Sequence, residues 1–410
     1  MCRGSRRLVL SERRFAETAY GLFTVHPEPD FRVLLDVCRG LGSYCRHMRI
    51  SIVAGLAALL VGCSNTVAPE QVSPTLSRVQ ADLDAAVAGG VSGMIATLSI
   101  DGREHTRTAG VADRASNAPI PADPAQQVRI GSVSKSFVAA ILLQLVADGN
   151  VRLDEPVATY LPEALTGFEV TVRQILQHRS GLPEFSGDPE IDEYRAALTG
   201  RTMTPADELA IALRHPAQFA PGAKFAYTNT NYLVAAMLIE RVSGRAYADV
   251  LQDRIIRPLG LVRTYLPGTG DTGIRGPHPK AYATFDGVRT DVTRVEPSIP
   301  WAAGAMVSVG AEVNRYFMAL LSGAVVPVPL LDEMLATQPM AEGSPMSYGL
   351  GIMSADLPCG ARYFGHFGGI SGFLTVAGAT RDGRAVTFTW TESPAQEPDV
   401  VALLGRALCP

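Results

Sequence analysis

Two stretches far apart in the chain carry the same hairpin pattern, and together they restrict the fold more than any other feature. SGMIATLSIDGREHTRTAGVAD, from Ser92, sets apolar and β-branched residues on both sides of Asp101-Gly102, a favoured two-residue turn. Near the other end, GFLTVAGAT and AVTFTWTE flank Arg381-Asp382-Gly383-Arg384. Between them, from about Leu153 to Tyr282, helical patterns such as VRQILQH and NYLVAAMLIERVSG dominate, broken by Pro and Gly. The predicted class is therefore α+β: one antiparallel sheet drawn from both ends of the chain and flanked by helices, plus a mostly helical domain. The sheet part is expected over about 73–150 and 290–410 and the helical insertion over about 151–289, with the active site between them. Ser73-Pro74 predicts a first helix with the stripe Leu76, Val79, Leu83 and Val87, and a last helix is expected from about Glu397 to Leu408.

The segment before Ser73 reads differently. MRISIVAGLAALLVGC begins at Met48 behind Arg46, and its run from Ile50 to Val61 is too short to span a bilayer as a helix. It has no polar face and suits the apolar region of a secretory signal. Its end, Leu60-Val61-Gly62-Cys63, resembles a bacterial lipobox. The expectation is an upstream extension over 1–47 with the true start at Met48, a lipoprotein signal peptide over 48–62, a lipidated Cys63 and a polar tether over 63–72. The mature protein is then exported and lipid-anchored at the outer face of the bacterial cytoplasmic membrane. Cys2, Cys38 and Cys45 fall upstream, which leaves Cys359 and Cys409 as an even pair in an oxidising compartment. They are expected to form a disulfide tying the last helix to the region before His366.

Composition excludes several functions. The 410 residues carry a net charge of −4, with 47% hydrophobic and 19% charged residues, so nothing favours nucleic acid as a partner. The seven histidines are scattered, and there is no H-E-x-x-H, C-x-x-C or phosphate-binding loop, so no metal or cofactor is expected. No G-x-S-x-G nucleophile elbow is present.

The chemistry concentrates in RIGSVSKSFVAAILLQL. Ser132 and Lys135 stand at the head of an apolar helix, and residues three apart share a face, so the amine can reach the hydroxyl. A serine hydroxyl needs such a neighbouring base to act as a nucleophile. The helix start favours developing negative charge. The bland alternative is an N-cap serine and a solvated lysine. Two further segments carry candidates: Tyr227-Thr228-Asn229 before another apolar helix, and His366-Phe367-Gly368-Gly369 leading into a strand whose glycines admit close backbone approach. His178 reads as a buried structural residue, Trp301 and Phe185 as core or cleft lining, and Lys224 as a solvated loop charge.

Ser132-x-x-Lys135, Tyr227-x-Asn229 and His366-x-Gly368, in that order, resemble the three motifs of the serine penicillin-binding protein and class C β-lactamase family. More specifically, the chain resembles the exported D-alanyl-D-alanine carboxypeptidases and related esterases whose third motif is H-x-G. LQHRSGLPEF, IIRPLGLVRTYLP, AAGAMVSVGAEVNRYFMALLSG and YGLGI match as well. The resemblance implies an acyl-enzyme mechanism. Ser132 attacks, and Lys135 and Tyr227 handle its proton, the ammonium favouring a tyrosinate base. The N–H groups of Ser132 and Gly369 hold the oxyanion, and Asn229 binds the substrate amide or positions Lys135. His366 assists with a substrate carboxylate or the proton network. Phe367 replaces a hydroxyl residue of many relatives, which raises an esterase reading. The expected activity is that of a carboxypeptidase on cell-wall peptides. The alternatives are an esterase or β-lactamase on the same scaffold, and a non-catalytic peptide- or β-lactam-binding lipoprotein. Expected partners are a small peptide or ester (a cell-wall stem peptide first), with β-lactams as candidate ligands and the membrane met through the lipid anchor. A monomer is expected.

Overall fold

The computed structural model describes residues 73–410 apart from 166, 192–198, 286 and 371. Cys63, the signal and the whole tether lie outside the described residues. Among the described residues no helix is long and apolar enough to cross a membrane.

The strands of both chain ends do meet in one sheet. In chain order they are β1 (Gly93–Ile100), β2 (Arg103–Asp113), β3 (Ala118–Pro119), β4 (Gln338–Pro339), β5 (Ser347–Tyr348), β6 (Met353–Asp356), β7 (Arg362–Ile370), β8 (Phe373–Thr380) and β9 (Ala385–Trp390). They form a nine-stranded sheet in the order β3-β2-β1-β9-β8-β7-β6-β5-β4. The junction between the two ends is β1 against β9, antiparallel, with Met94 opposite Trp390 and Ala96 opposite Phe388. The first hairpin turns where expected: Ile100 pairs with Arg103, and Asp101 and Gly102 both have positive φ, 52° and 70°. That is the turn whose twist matches the flanking strands.

Each face of the sheet is covered by its own helices. On one face lie α1 (Pro74–Ala88) and, at the chain end, a helix over Val400–Leu408; Leu76, Val79, Leu83, Met94, Leu98, Phe388, Trp390 and Leu404 form their shared core. The terminal helix begins at Val400 rather than Glu397, because the Asp399 carboxylate accepts a hydrogen bond from the Ala402 N–H and so caps the first turn. Cys409 at its end is joined to Cys359, which lies between β6 and β7 (S–S 1.99 Å). On the other face lie α2 (Ser134–Ala147), α3 (Asn229–Ser243) and α4 (Gly310–Leu321). Phe137, Ile141, Val234, Tyr316 and Phe317 belong to this larger core. Almost every residue of α2 is buried, as its all-round apolar sequence requires. The helical segment also holds a strand pair of its own, Tyr282–Phe285 with Val288–Asp291, which its composition did not suggest.

Candidate active site

The segment around Ser132 is held at both ends before it turns. Val128–Arg129 pairs with Val307–Ser308, and the Ile130 N–H donates to the Met306 carbonyl at 3.0 Å. Gly131 then adopts φ +54°, a conformation that side-chain-bearing residues rarely take. Gly131–Val133 forms a 3₁₀ turn, and the α-helix proper starts at Ser134. Ser132 thus sits in the turn before α2 rather than in its first helical turn. Lys135, the second residue of α2, is fully buried, while Ser132 keeps partial exposure.

The turn lies against the second edge of β7. β8 pairs with β7 from Tyr363 to Ile370, but β6 pairs only from Arg362 to Gly365. The glycine pair meets the serine turn beyond that point. A Cβ on Gly368 would lie 1.9 Å from the Ile130 carbonyl oxygen and 3.0 Å from the Ser132 nitrogen, and one on Gly131 would lie 2.7 Å from the Gly369 carbonyl oxygen. Only glycine permits this approach, which brings the Ser132 N–H and the backbone of Gly368 and Gly369 to one place.

Hydrogen bonds tie the Lys135 amine to the nucleophile and to two acceptors. Its Nζ lies 2.9 Å from Ser132 Oγ, 2.8 Å from Asn229 Oδ1 and 3.0 Å from the Ala303 carbonyl oxygen. Asn229, the first residue of α3, is oriented by its own Nδ2, which donates to Ser186 Oγ at 3.3 Å, so its oxygen faces the lysine. Asn229 Oδ1 and the Ala303 carbonyl can only accept. A neutral amine placed here would give its two N–H bonds to them and turn its lone pair to the Ser132 hydroxyl. The same geometry in the ammonium form donates to all three.

Tyr227 shares the serine. The Ser132 hydroxyl acts on its phenol, lowering the pKa against the effect of burial, and Lys135 Nζ lies 5.0 Å from its ring centre. The expected tyrosinate does not fit its surroundings. Burial, followed by the neighbouring Tyr232 and the Glu184 charge, pushes the phenol well above its usual value, and the Ser132 hydroxyl opposes this only in part. Tyr227 rests as a protonated phenol, suited to give a proton rather than take one.

His366 lies buried beside Tyr227, with their ring centres 6.3 Å apart. It is fully buried, its Nδ1 lies against the Phe367 carbonyl, and its Nε2 lies 3.0 Å from the Tyr348 hydroxyl. The carbonyl can only accept, so Nδ1 carries the proton and Nε2 accepts from Tyr348. Burial first and the Lys135 charge second hold the imidazole down to about 3, so it is neutral at ordinary pH. A neutral imidazole offers a substrate carboxylate no positive charge, whereas the other expected role, in the proton network, is compatible with its contact to Tyr348. Phe367 points to the opposite face and packs with the core under α1. Its ring does not meet substrate, so it carries no argument for an esterase.

His178 is a buried structural residue, as its sequence context suggested. Its Nδ1 accepts from the Thr228 N–H at 3.2 Å and faces the Asn231 Nδ2 at 3.0 Å. Its ring centre lies 4.1 Å from that of Tyr227, so it supports the phenol from behind. Burial drives its pKa well below the usual value. Phe185 is core, Trp301 opens the short helix that presents the Ala303 carbonyl, and exposed Lys224 lies 5.1 Å from the Phe219 ring centre. Two contributors escaped the sequence reading. The Ala303 carbonyl is a backbone group with no side-chain signature. Glu184, inside the quoted LPEF, accepts from the Asn229 N–H at 2.6 Å and the Ser186 N–H at 2.9 Å.

The beta-lactamase family model matches residues 78–408 of the chain. A putative penicillin-binding protein, PbpX, of Bacillus subtilis (strain 168) is 26% identical over 287 residues, 69% of this chain and 66% of that protein. A D-aminopeptidase of Cereibacter sphaeroides is 27% identical over 288 residues, 70% of this chain and 53% of that protein. The chain thus spans between half and two thirds of the length of these curated relatives. A solved D-stereospecific amidohydrolase from Streptomyces sp. superposes with a TM-score of 0.73 at 35% identity, covering 80% of this chain and 98% of that one. A D-amino acid amidase from Ochrobactrum anthropi SV3, complexed with L-phenylalanine amide, gives 0.69 at 28% identity, over 81% and 97%.

Proposed function

The chain belongs to the beta-lactamase family and is a serine hydrolase; on that premise we propose that it hydrolyses amides of D-amino acids through an acyl-enzyme on Ser132. The observation that carries this reading is the state of His366. A neutral, buried imidazole gives a terminal carboxylate no cation at the third motif, so a substrate without that carboxylate fits better. The likeness to a D-stereospecific amidohydrolase and to a D-amino acid amidase supports it.

The steps follow from the contacts. Ser132 Oγ attacks the carbonyl carbon while its proton passes to the neutral Lys135 amine, whose remaining hydrogens stay on Asn229 Oδ1 and the Ala303 carbonyl. The Ser132 N–H and the β7 edge at Gly369 receive the oxyanion; losing one such donor costs about 3 kcal/mol of transition-state stabilisation. The Tyr227 phenol protonates the leaving nitrogen and recovers a proton from the Lys135 ammonium, which took it from Ser132 in the attack. Water then cleaves the ester by the same route in reverse.

Carboxypeptidase action on cell-wall peptides is the second reading, favoured by relatives named penicillin-binding proteins. The deciding assay compares ammonia release from D-phenylalanine amide with D-alanine release from a stem pentapeptide. The amide is expected to be favoured in kcat/KM by about tenfold or more; D-alanine release without amide cleavage overturns the proposal. We propose further that the protein is exported and anchored through Cys63, which the apolar run ending in Leu-Val-Gly-Cys and a disulfide suited to an oxidising compartment support. Labelling with a radioactive fatty acid tests this: label lost in Cys63→Ser is the supporting result, and a wild-type protein that takes up none defeats it.

A further inference from the structure

Tyr348 is a buried phenol that the proposed steps leave without a role. It belongs to β5, and its hydroxyl lies 3.0 Å from His366 Nε2. His366 carries its own hydrogen on Nδ1, against the Phe367 carbonyl, so Nε2 takes the Tyr348 proton. Tyr232, whose oxygen lies 3.5 Å from that of Tyr348, gives its own proton to the Leu176 carbonyl at 2.9 Å. The Tyr348–His366 bond thus fastens β5 to β7, two strands that β6 separates in the sheet.

The same two rings form part of the wall against which Tyr227 rests. The Tyr227 ring centre lies 6.3 Å from that of Tyr348, the planes crossing at 85°, and 6.3 Å from that of His366. Tyr348 and His366 cross each other at 87°, with centres 5.7 Å apart. The third ring of the wall, His178, lies 4.9 Å from Tyr348. Its Nε2 is buried without a hydrogen-bond partner among the described residues, so packing alone holds that side of the imidazole. A phenol delivers its proton only along a short, aligned path, and a displacement of about 1 Å can cost about a hundredfold in rate. We infer that Tyr348 is a positioning residue for the reaction: its hydroxyl bond to His366 locks the rings behind Tyr227 and so aims the phenol at the leaving nitrogen. This deepens the reaction proposed above and rests on Tyr227 as its proton donor.

The test uses the whole protein and compares D-phenylalanine amide with D-phenylalanine p-nitrophenyl ester, which give the same acyl-enzyme. The amide nitrogen must be protonated as it leaves, whereas p-nitrophenolate leaves without a proton. Tyr348→Phe keeps the ring and removes the bond. Its kcat/KM should fall by about tenfold or more for the amide and by less than about threefold for the ester. A merely structural role would lower both substrates equally; that result, or an unchanged rate on the amide, overturns the inference. Tyr227→Phe separates the inference from the reading beneath it, since it should show the same split and a larger one. Equal losses in Tyr227→Phe, or a wild type that cleaves neither substrate, defeat the proposed reaction and this inference with it. A split in Tyr227→Phe without one in Tyr348→Phe defeats the inference alone. If Tyr348→Phe does not fold, heteronuclear NMR of the His366 ring nitrogens in the wild type decides. A proton on Nδ1, with Nε2 as acceptor, is the expected state; a proton on Nε2 would leave the Tyr348 hydroxyl no bond to give and would overturn the inference.

Discussion

His366 and Phe367 are neighbours in one strand, yet they belong to different parts of the molecule. The imidazole faces the side of Lys135 and Tyr227, where its two nitrogens are engaged by the Phe367 carbonyl and Tyr348. The phenyl ring faces the other way and packs with the core beneath α1 and the terminal helix. Front and back of the sheet differ accordingly. The front is built from buried polar contacts and from glycines that allow backbones to touch. The back is built from apolar side chains and closed by one disulfide. The difference teaches that chemistry and stability are divided by the pleat, so substitutions on the two faces should change different quantities.

The largest effect is expected on the front. Ser132→Ala should lower kcat by about 10⁴-fold or more, since the remaining groups have no nucleophile to serve. Its urea midpoint should stay close to that of the wild type, because the side chain is partly exposed and fills no core volume. A melting change as large as the activity loss would break the division between faces. On the back, Phe388→Ala removes a fully buried ring from the core beneath α1 and should cost about 3–5 kcal/mol of stability. The folded fraction should keep its kcat within about threefold. A folded but inactive Phe388→Ala protein would show that the back face reaches into catalysis. Replacing Cys359 and Cys409 with Ser opens a link between residues 50 apart in sequence and should cost about 2–4 kcal/mol, again with kcat retained.

The same division explains what the sequence could disclose. The Asp101-Gly102 hairpin was readable because its turn is local and demands positive φ at both positions. The Ser132–Lys135 pair was readable because three-residue spacing on a helix is equally local. Joining Tyr227, Asn229 and His366 to them needed resemblance, since their contacts span nearly a hundred residues or more. The Ala303 carbonyl left no trace, as any residue at that position supplies the same oxygen. Phe367 was misjudged because a strand's sequence gives alternation without saying which set faces the site. The protonation of Tyr227 was misjudged because one nearby cation was weighed and the burial of the phenol was not.

The smallest effect, taken per pH unit, sharpens the comparison from the front face. His366 is held down to about 3 in the folded protein, against about 6.5 for an unfolded histidine. Between these values the unfolded chain binds a proton that the folded one refuses. The stability contributed by the neutral imidazole is therefore complete above pH 6.5 and is lost as pH falls toward 3, at up to about 1.4 kcal/mol per pH unit. His178 is shifted in the same direction by its own burial and adds to the slope. Urea unfolding of the wild type and of His366→Gln between pH 6.5 and pH 4 isolates the term, since the carboxylates are common to both proteins. The variant should show the shallower slope, by roughly that amount. Equal slopes would mean that the imidazole takes up its proton within the fold, and the front face would then be wetter than its hydrogen bonds imply.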